Sequence, residues 1–166
     1  ALQKISWKEI WQAPTSEADT RLATYYWKIG ALNVHTTEGI PTCDRCHTQE
    51  TLMHIMWECK GAKEMWKQIL RAWGLQTGNK DLPRYKTNIL ADQPPLASSV
   101  LTRQLMNQED ATIVNQGMEH FWQALTRLGR KLLWNFRNDL RFKQEEHNHH
   151  KRTAITDTAI RAAILF

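Results

Sequence analysis

The sequence predicts a mainly α fold: a helical domain stapled by one CCHC zinc site, with a long amphipathic helix in the C-terminal half. Three observations carry that expectation. All three cysteines fall in one pattern, Cys43-x2-Cys46-x7-His54-x4-Cys59. Apolar residues elsewhere recur mainly at i, i+3 and i+4, the mark of amphipathic helices rather than strands. One such stripe then runs from Ile113 to Leu140.

The elements follow in order. Ser6-x-x-Glu9 is a capping box opening a short helix with Trp7, Ile10 and Trp11 on one side, and Pro14 ends it. Ser16 caps a second helix carrying Leu22, Tyr25, Tyr26, Ile29 and Leu32. Residues 33–53 hold turn formers and β-branched residues, so they read as a loop and the first turn of the metal site. From Gly61 to Trp73 a helix presents Met65, Trp66, Ile69, Leu70 and Trp73, stopped by Gly74. Residues 75–93 are polar and irregular, a linker or mobile loop between a first region, 1–74, and a second, 94–166. Pro94 and Pro95 open a helix to about Gln108 with Leu96, Val100, Leu101 and Leu105 inward. Asp110 caps the long helix, which runs to about residue 145 and spans about 50 Å at 1.5 Å per residue. Its stripe is Ile113, Val114, Met118, Phe121, Leu125, Leu128, Leu132, Phe136 and Leu140. Gly117 and Gly129 are weak points in it, each costing roughly 1 kcal/mol. A last helix starts at Thr153 or Thr156 and ends apolar at Phe166.

Composition bounds the class. The 166 residues suit one domain, or a domain with a helical appendage packed onto it. With 42% hydrophobic residues and eight Trp, the chain buries a real core without relying on metal alone. It contains no run of eighteen apolar residues, so no membrane-spanning helix is expected. The first residue is Ala1 rather than Met, which suggests a processed product or an excised fragment.

The cysteine pattern carries the chemistry. Two cysteines separated by two residues reach one ion from a tight turn, and zinc favours four soft or borderline ligands in a tetrahedron. His54 and Cys59, with four residues between them, lie about one helical turn apart. Three thiolates and an imidazole leave no open coordination position, which marks a structural rather than catalytic ion. A disulfide would strand one cysteine of the three, and three unrelated thiols would cluster only by chance. His47 is the rival fourth ligand. A residue directly after Cys46 seldom turns back into the same tetrahedron, so the expected ligands are Cys43, Cys46, His54 and Cys59.

Around these ligands, Pro41-Thr-Cys-Asp-Arg-Cys46, Glu50-Thr51, His54, Trp57-Glu58-Cys59, Ala62 and Trp66 resemble the zinc-binding domain that follows the reverse transcriptase of non-LTR retrotransposons. Ser6-Trp7-Lys8-Glu9-Ile10-Trp11 and Tyr26-Trp27-Lys28-Ile29 look like its two leading helices. Leu133-Trp134-Asn135-Phe136-Arg137-Asn138 is similar to a W-x-x-R-N element found after it. The likeness covers residues 1–73 and, more thinly, 130–142. Asp44 stands where that family usually has Pro, which leaves the ligands untouched. The resemblance implies a zinc module working beside a polymerase. Any polymerase or endonuclease activity would reside elsewhere on a longer polyprotein.

Charge points to a partner. Eight basic residues face three acids between Arg127 and Arg152, an excess equal to the +5 of the whole chain. Arg127, Arg130, Lys131, Arg137, Asn138 and Arg141 are the expected nucleic-acid contacts; Arg127, Lys131, Asn138 and Arg141 lie roughly on one helical face, a ridge able to follow the phosphates of RNA or DNA without sequence preference. An ordinary solvated face is the competing account. Trp134, Arg137 and Asn138 share one helix face. They read either as a base-stacking platform or, more in keeping with large aromatics, as core plus carbonyl contacts from Arg and Asn. Trp57 reads as a packing lid over the metal, and the aromatics at 7, 11, 27, 66 and 73 as core. His147, His149 and His150 read as a helix end or exposed turn rather than a second metal site.

No phosphate loop, nucleophile elbow, H-E-x-x-H element or Asp-Asp pair occurs, so no catalytic residue is expected. The alternative to nucleic-acid binding is a protein-interaction module adapted from a retroelement domain, such as a secreted effector meeting a host protein. An intracellular setting, nuclear or cytoplasmic, goes with the first account and a removed leader with the second.

Overall fold

Helices build the described chain, joined by short segments whose backbone is fixed by a few specific contacts. The structure is a computed structural model describing residues 26–27, 39–95, 108–142 and 149–164, apart from the side chains of 108–112, 142, 149, 163 and 164. Helices α1 (Lys60–Ala72), α2 (Lys86–Leu90), α3 (Gln108–Phe142) and α4 (His149–Ile164) appear in that order. A π turn, His54–Glu58, precedes α1, and a 3-10 turn, Leu82–Tyr85, runs into α2. Among the described residues there is no β-strand, and Thr42 and Gln49 form an antiparallel bridge. The leading helix around Ser6, most of the one after Ser16 and the expected 94–108 helix lie outside the described residues. Of the second, Tyr26 and Trp27 are helical, and Trp27 packs against the core.

Helix α1 forms where the apolar spacing places it. Ala62, Met65, Trp66, Ile69 and Leu70 share its buried face. It ends because Gly74 takes a left-handed φ of 89°. That lets Leu75 N–H reach the Leu70 carbonyl at 2.8 Å and Gly74 N–H reach that of Arg71 at 2.9 Å, the two bonds of a Schellman stop.

One core joins all four helices. Trp66, Ile69 and Leu70 meet Trp122, Leu125, Leu132 and Leu133 of α3, Ile89 of α2 and Ile160 of α4. The two deepest indoles are also anchored by hydrogen bonds. Trp66 Nε1 donates to the Met56 carbonyl at 2.7 Å and Trp122 Nε1 to that of Asn88 at 3.1 Å. Helices α1 and α3 cross at Gly129. A Cβ there would sit 2.5 Å from both Ile69 Cδ1 and Trp66 Cζ3, whereas one at Gly117 would meet nothing within 4 Å. Gly129 is therefore the notch that lets the two helices close, not a weak point like Gly117.

Several expectations change. Residues 75–93 are not a linker, since Leu82 and Ile89 within them are 1% and 0% exposed. Their two apolar anchors are too sparse to register as a period. The long helix is described as far as Phe142, and its expected end near 145 lies outside the described residues. Its expected stripe begins too early: Ile113 and Val114 face solvent at 70% and 42% exposure, and by Phe121, stacked on Trp73, the helix packs on the core. The last helix begins at His149, before either expected cap. Thr156 lies inside it, and its hydroxyl donates back to the Arg152 carbonyl at 2.8 Å. His149 and His150 are helical, and His147 lies outside the described residues.

Candidate metal centre

Two local structures bring the four ligands together. The first is a hydrogen-bonded hairpin over 41–50. Cys43 N–H donates to the Thr48 carbonyl at 2.8 Å, Glu50 N–H to Pro41 at 2.8 Å, and His47 N–H back to Cys43 at 2.8 Å. The chain reverses after Cys46 because His47 adopts a φ of 56°, a region that His tolerates better than most side chains. This throws His47 outward, exposed. It is not a member of the ligand group, which is Cys43, Cys46, His54 and Cys59.

The second is the π turn. In an α-helix residue i+5 lies roughly 140° round from residue i, so His54 and Cys59 would point apart. Here Cys59 N–H bonds the His54 carbonyl at 2.8 Å, an i→i+5 closure whose wider loop returns Cys59 over His54. Thr51 Oγ1 accepts the His54 N–H at 3.0 Å and fixes where that turn starts. The spacing picks out four residues that do lie together, but the turn joining His54 to Cys59 is a π turn rather than an α turn.

The donor set fits a tetrahedral ion. The four ligand atoms lie within 4.8 Å of one another. Cys59 Sγ is 3.9 Å from the sulfurs of both Cys43 and Cys46. Four ligands around an ion with metal–sulfur bonds of about 2.3 Å place neighbouring sulfurs about 3.8 Å apart. His54 Nε2 is buried with no protein partner, while Nδ1 lies 3.3 Å from Thr48 Oγ1. With the Nδ1 proton donated to that hydroxyl, the Nε2 lone pair is left for an ion.

The N-terminus of α1 supports negative charge on the sulfurs. Lys60 N–H donates to Cys46 Sγ at 3.4 Å. Burial pushes the Cys46 thiol up, but that N–H, the hydrogen bonds from Cys59 and Cys43, and the Lys60 charge outweigh it and leave its pKa lowered. Cys59 goes the other way. Burial raises it most, the N–H of Gly61 opposes, and the charges of Cys43 and Cys46 add to the rise, to about 12. Three adjacent thiols cannot all ionise by themselves, and a divalent cation removes that conflict.

The expected nucleic-acid ridge is corrected at three positions. Arg127, Arg130 and Arg137 are 2%, 2% and 6% exposed and face the interior. Two buried carboxylates from distant loops draw them in. Arg130 donates to Asp92 Oδ1 at 2.5 Å and to the Ile89 carbonyl at 3.0 Å. Arg137 Nε donates to Glu50 Oε2 at 3.1 Å and its NH1 to Asn138 Oδ1 at 3.1 Å. Arg141, 27% exposed, donates to the Thr42 carbonyl at 2.6 Å and lies 3.5 Å from Glu50. Lys131 remains half-buried. Trp134 is half-buried with the Arg137 guanidinium 5.4 Å over its ring. Arg137 thus meets a buried carboxylate that the sequence reading did not foresee. Trp57 is buried in the core cluster with Lys86 Nζ 5.8 Å from its ring centroid.

The roles of Glu50 and Thr48 are what sequence reasoning passed over. Glu50 ties the hairpin to α3, and Thr48 orients His54. Thr51 carried a signal, being a capping residue type just before a helical turn. Glu50 carried none, because its partner lies 87 residues away. Fold and site together define a mainly helical domain with a Cys3His cluster able to hold a metal. No family model, curated protein or solved structure matches the chain.

Proposed function

We propose that this chain is a non-catalytic module that binds zinc for structure and nucleic acid for function. The observation that carries the zinc half is the set of three sulfurs and one unpartnered, buried imidazole nitrogen within 4.8 Å. Cys43, Cys46, His54 and Cys59 would hold the ion, which supplies no chemistry beyond neutralising the thiolates and locking hairpin to helix. Three sulfurs and one nitrogen select zinc over magnesium or calcium, which prefer oxygen. The helix N-terminus aimed at Cys46 and the Thr48 hydroxyl on His54 support the same assignment.

Nucleic acid as the partner is supported by the formal +5 charge and by the resemblance to the retrotransposon zinc-binding domain. The two stretches carrying that resemblance meet through the Arg137–Glu50 ion pair. Metal content of the purified protein, read by mass spectrometry, should give one zinc per chain. Binding to a single-stranded RNA and a DNA duplex should be micromolar or weaker and fall steeply with salt. Absence of metal would overturn the zinc half, and absence of any binding at low salt the nucleic-acid half.

A protein-interaction role is the second reading, favoured by one observation. Residues 113–117 at the start of the described part of α3 are exposed, with Ile113 and Val114 among them. Saturable capture of one protein that survives nuclease treatment would support it.

A further inference from the structure

We infer that the outer face of α1, not α3, is the surface that meets a nucleic-acid backbone; this rests on the nucleic-acid reading above. Lys60, Lys63, Lys67 and Arg71 recur every three or four residues along α1. At 100° per residue they fall within roughly 80° of arc and span about 16 Å of helix. That arc lies opposite Ala62, Met65, Trp66, Ile69 and Leu70, so the core fixes which way it points. Lys60, Lys63 and Arg71 are exposed. Glu64 is the acid on this face, and it is paired with Lys67 at 2.7 Å.

Two features speak against an ordinary solvated face. First, α1 has no acidic residue in its first turn. Lys60 and Lys63 stand there against the helix dipole, which favours acids at that end. Lys63 has no ion pair among the described residues. Second, Arg45 of the metal hairpin lies beside the start of α1, its NH1 2.7 Å from where a Gly61 Cβ would be. Gly61 lies 100° of helical turn past Lys60, so Arg45 adds a cation at this end of α1 to the side of the row, and the ion that fixes the hairpin would hold it there.

A polyanion is the partner this charge fits, and the surrounding surface selects its kind. A helix lying on a membrane pairs its cations with exposed Trp, Phe or Leu. Here the large exposed apolar side chains among the described residues are Tyr26, Ile40, Met53, Ile113, Val114 and Ile155, none of them on α1. A row of cations at one-turn spacing without apolar anchors matches a phosphate backbone, where neutralisation releases counterions and carries the affinity.

The test uses the whole zinc-loaded chain, with fluorescence anisotropy on a 20-nucleotide single-stranded RNA across a salt series. The double variant Lys63→Glu/Arg71→Glu should bind about ten-fold more weakly than wild type at low salt. Its log–log salt slope should be shallower by about 1.4, two phosphate contacts at about 0.7 each on a single strand. The charge-matched variant Lys80→Glu/Arg84→Glu, at exposed positions of the 78–85 segment, should lose less than about three-fold. Zinc content and melting temperature should stay at wild-type values in both. Equal loss in the two variants, or none in the first, overturns the assignment to α1 while leaving nucleic-acid binding intact. Wild-type protein that binds no RNA brings down both readings. Equal binding of poly-glutamate at matched charge overturns the choice of a phosphate partner.

Discussion

Two loops are pinned to the same helix by different means. The hairpin at 41–50 leaves Asp44, His47, Thr48 and Gln49 exposed and buries little apolar surface. The segment at 78–95 has no metal cluster among the described residues and instead sinks Leu82 and Ile89 completely. Both also offer one buried carboxylate to α3: Glu50 to Arg137 and Arg141, Asp92 to Arg130. An ion with four ligands can thus replace the hydrophobic anchoring that a loop of this length otherwise needs. The second loop compensates in another way. Asp92 occupies the left-handed position after α2, with φ 57°, where glycine is usual. Gln93 N–H still reaches the Asn88 carbonyl at 3.0 Å, so the stop forms, and the carboxylate is delivered to Thr126 Oγ1 at 2.6 Å as well as to Arg130.

The largest way to break the comparison is to remove the ion. Cys59→Ser, or a chelator, should cost several kcal/mol. Amide exchange should quicken over 39–73 while 82–92 keeps its protection. Uniform loss across both loops would mean that they are one cooperative unit.

Asp92→Ala attacks the other loop. It leaves Arg130 buried without its counter-charge and should cost about 3–5 kcal/mol in urea denaturation, with zinc content unchanged. Burial raises the Asp92 pKa, but Arg130, the Thr126 hydroxyl and Arg127 outweigh it and hold the carboxyl below its ordinary range. A depressed folded pKa contributes stability that is present above the unfolded value, about 3.9, and lost as pH falls through the folded one. Stability of Asp92→Asn should therefore fall less steeply than wild type below about pH 4, measured by denaturation at stepped pH.

Smaller effects sharpen the picture. Gly129→Ala should destabilise by about 1–3 kcal/mol through overpacking against Trp66 and Ile69, despite the better helix propensity of alanine. Thr48→Val should weaken zinc affinity roughly ten-fold in a competitive chelator titration, because the imidazole loses its orienting partner. Gly117→Ala meets nothing and should stabilise by about 0.5–1 kcal/mol. A thermal melt pairing the two glycine variants should show shifts of opposite sign.

Much was legible in advance, and each success had a local cause. Gly74 announced the end of α1, and the period of Met65, Trp66, Ile69 and Leu70 announced its buried face. The failures were also of one kind. Ile113 and Val114 continue the stripe of α3 in period, yet periodicity does not say how far a packing partner extends. The 75–93 segment reads as irregular because its two buried apolar residues in nineteen make no pattern. His54 and Cys59 were placed on one turn, but the hydrogen bond that chose a π turn was not visible in their spacing.

The chain's own order of residues settled the donor set, the helical character and the ends of α1, because each depends on neighbours within a turn or two. Tertiary structure alone decided which cations of α3 face inward, why Gly129 is a notch, and that Glu50 holds the hairpin. Arg130 meets Asp92 across 38 residues and Arg137 meets Glu50 across 87. The side on which a charged residue ends up depends on a carboxylate carried in by a distant loop, and no local period encodes that meeting.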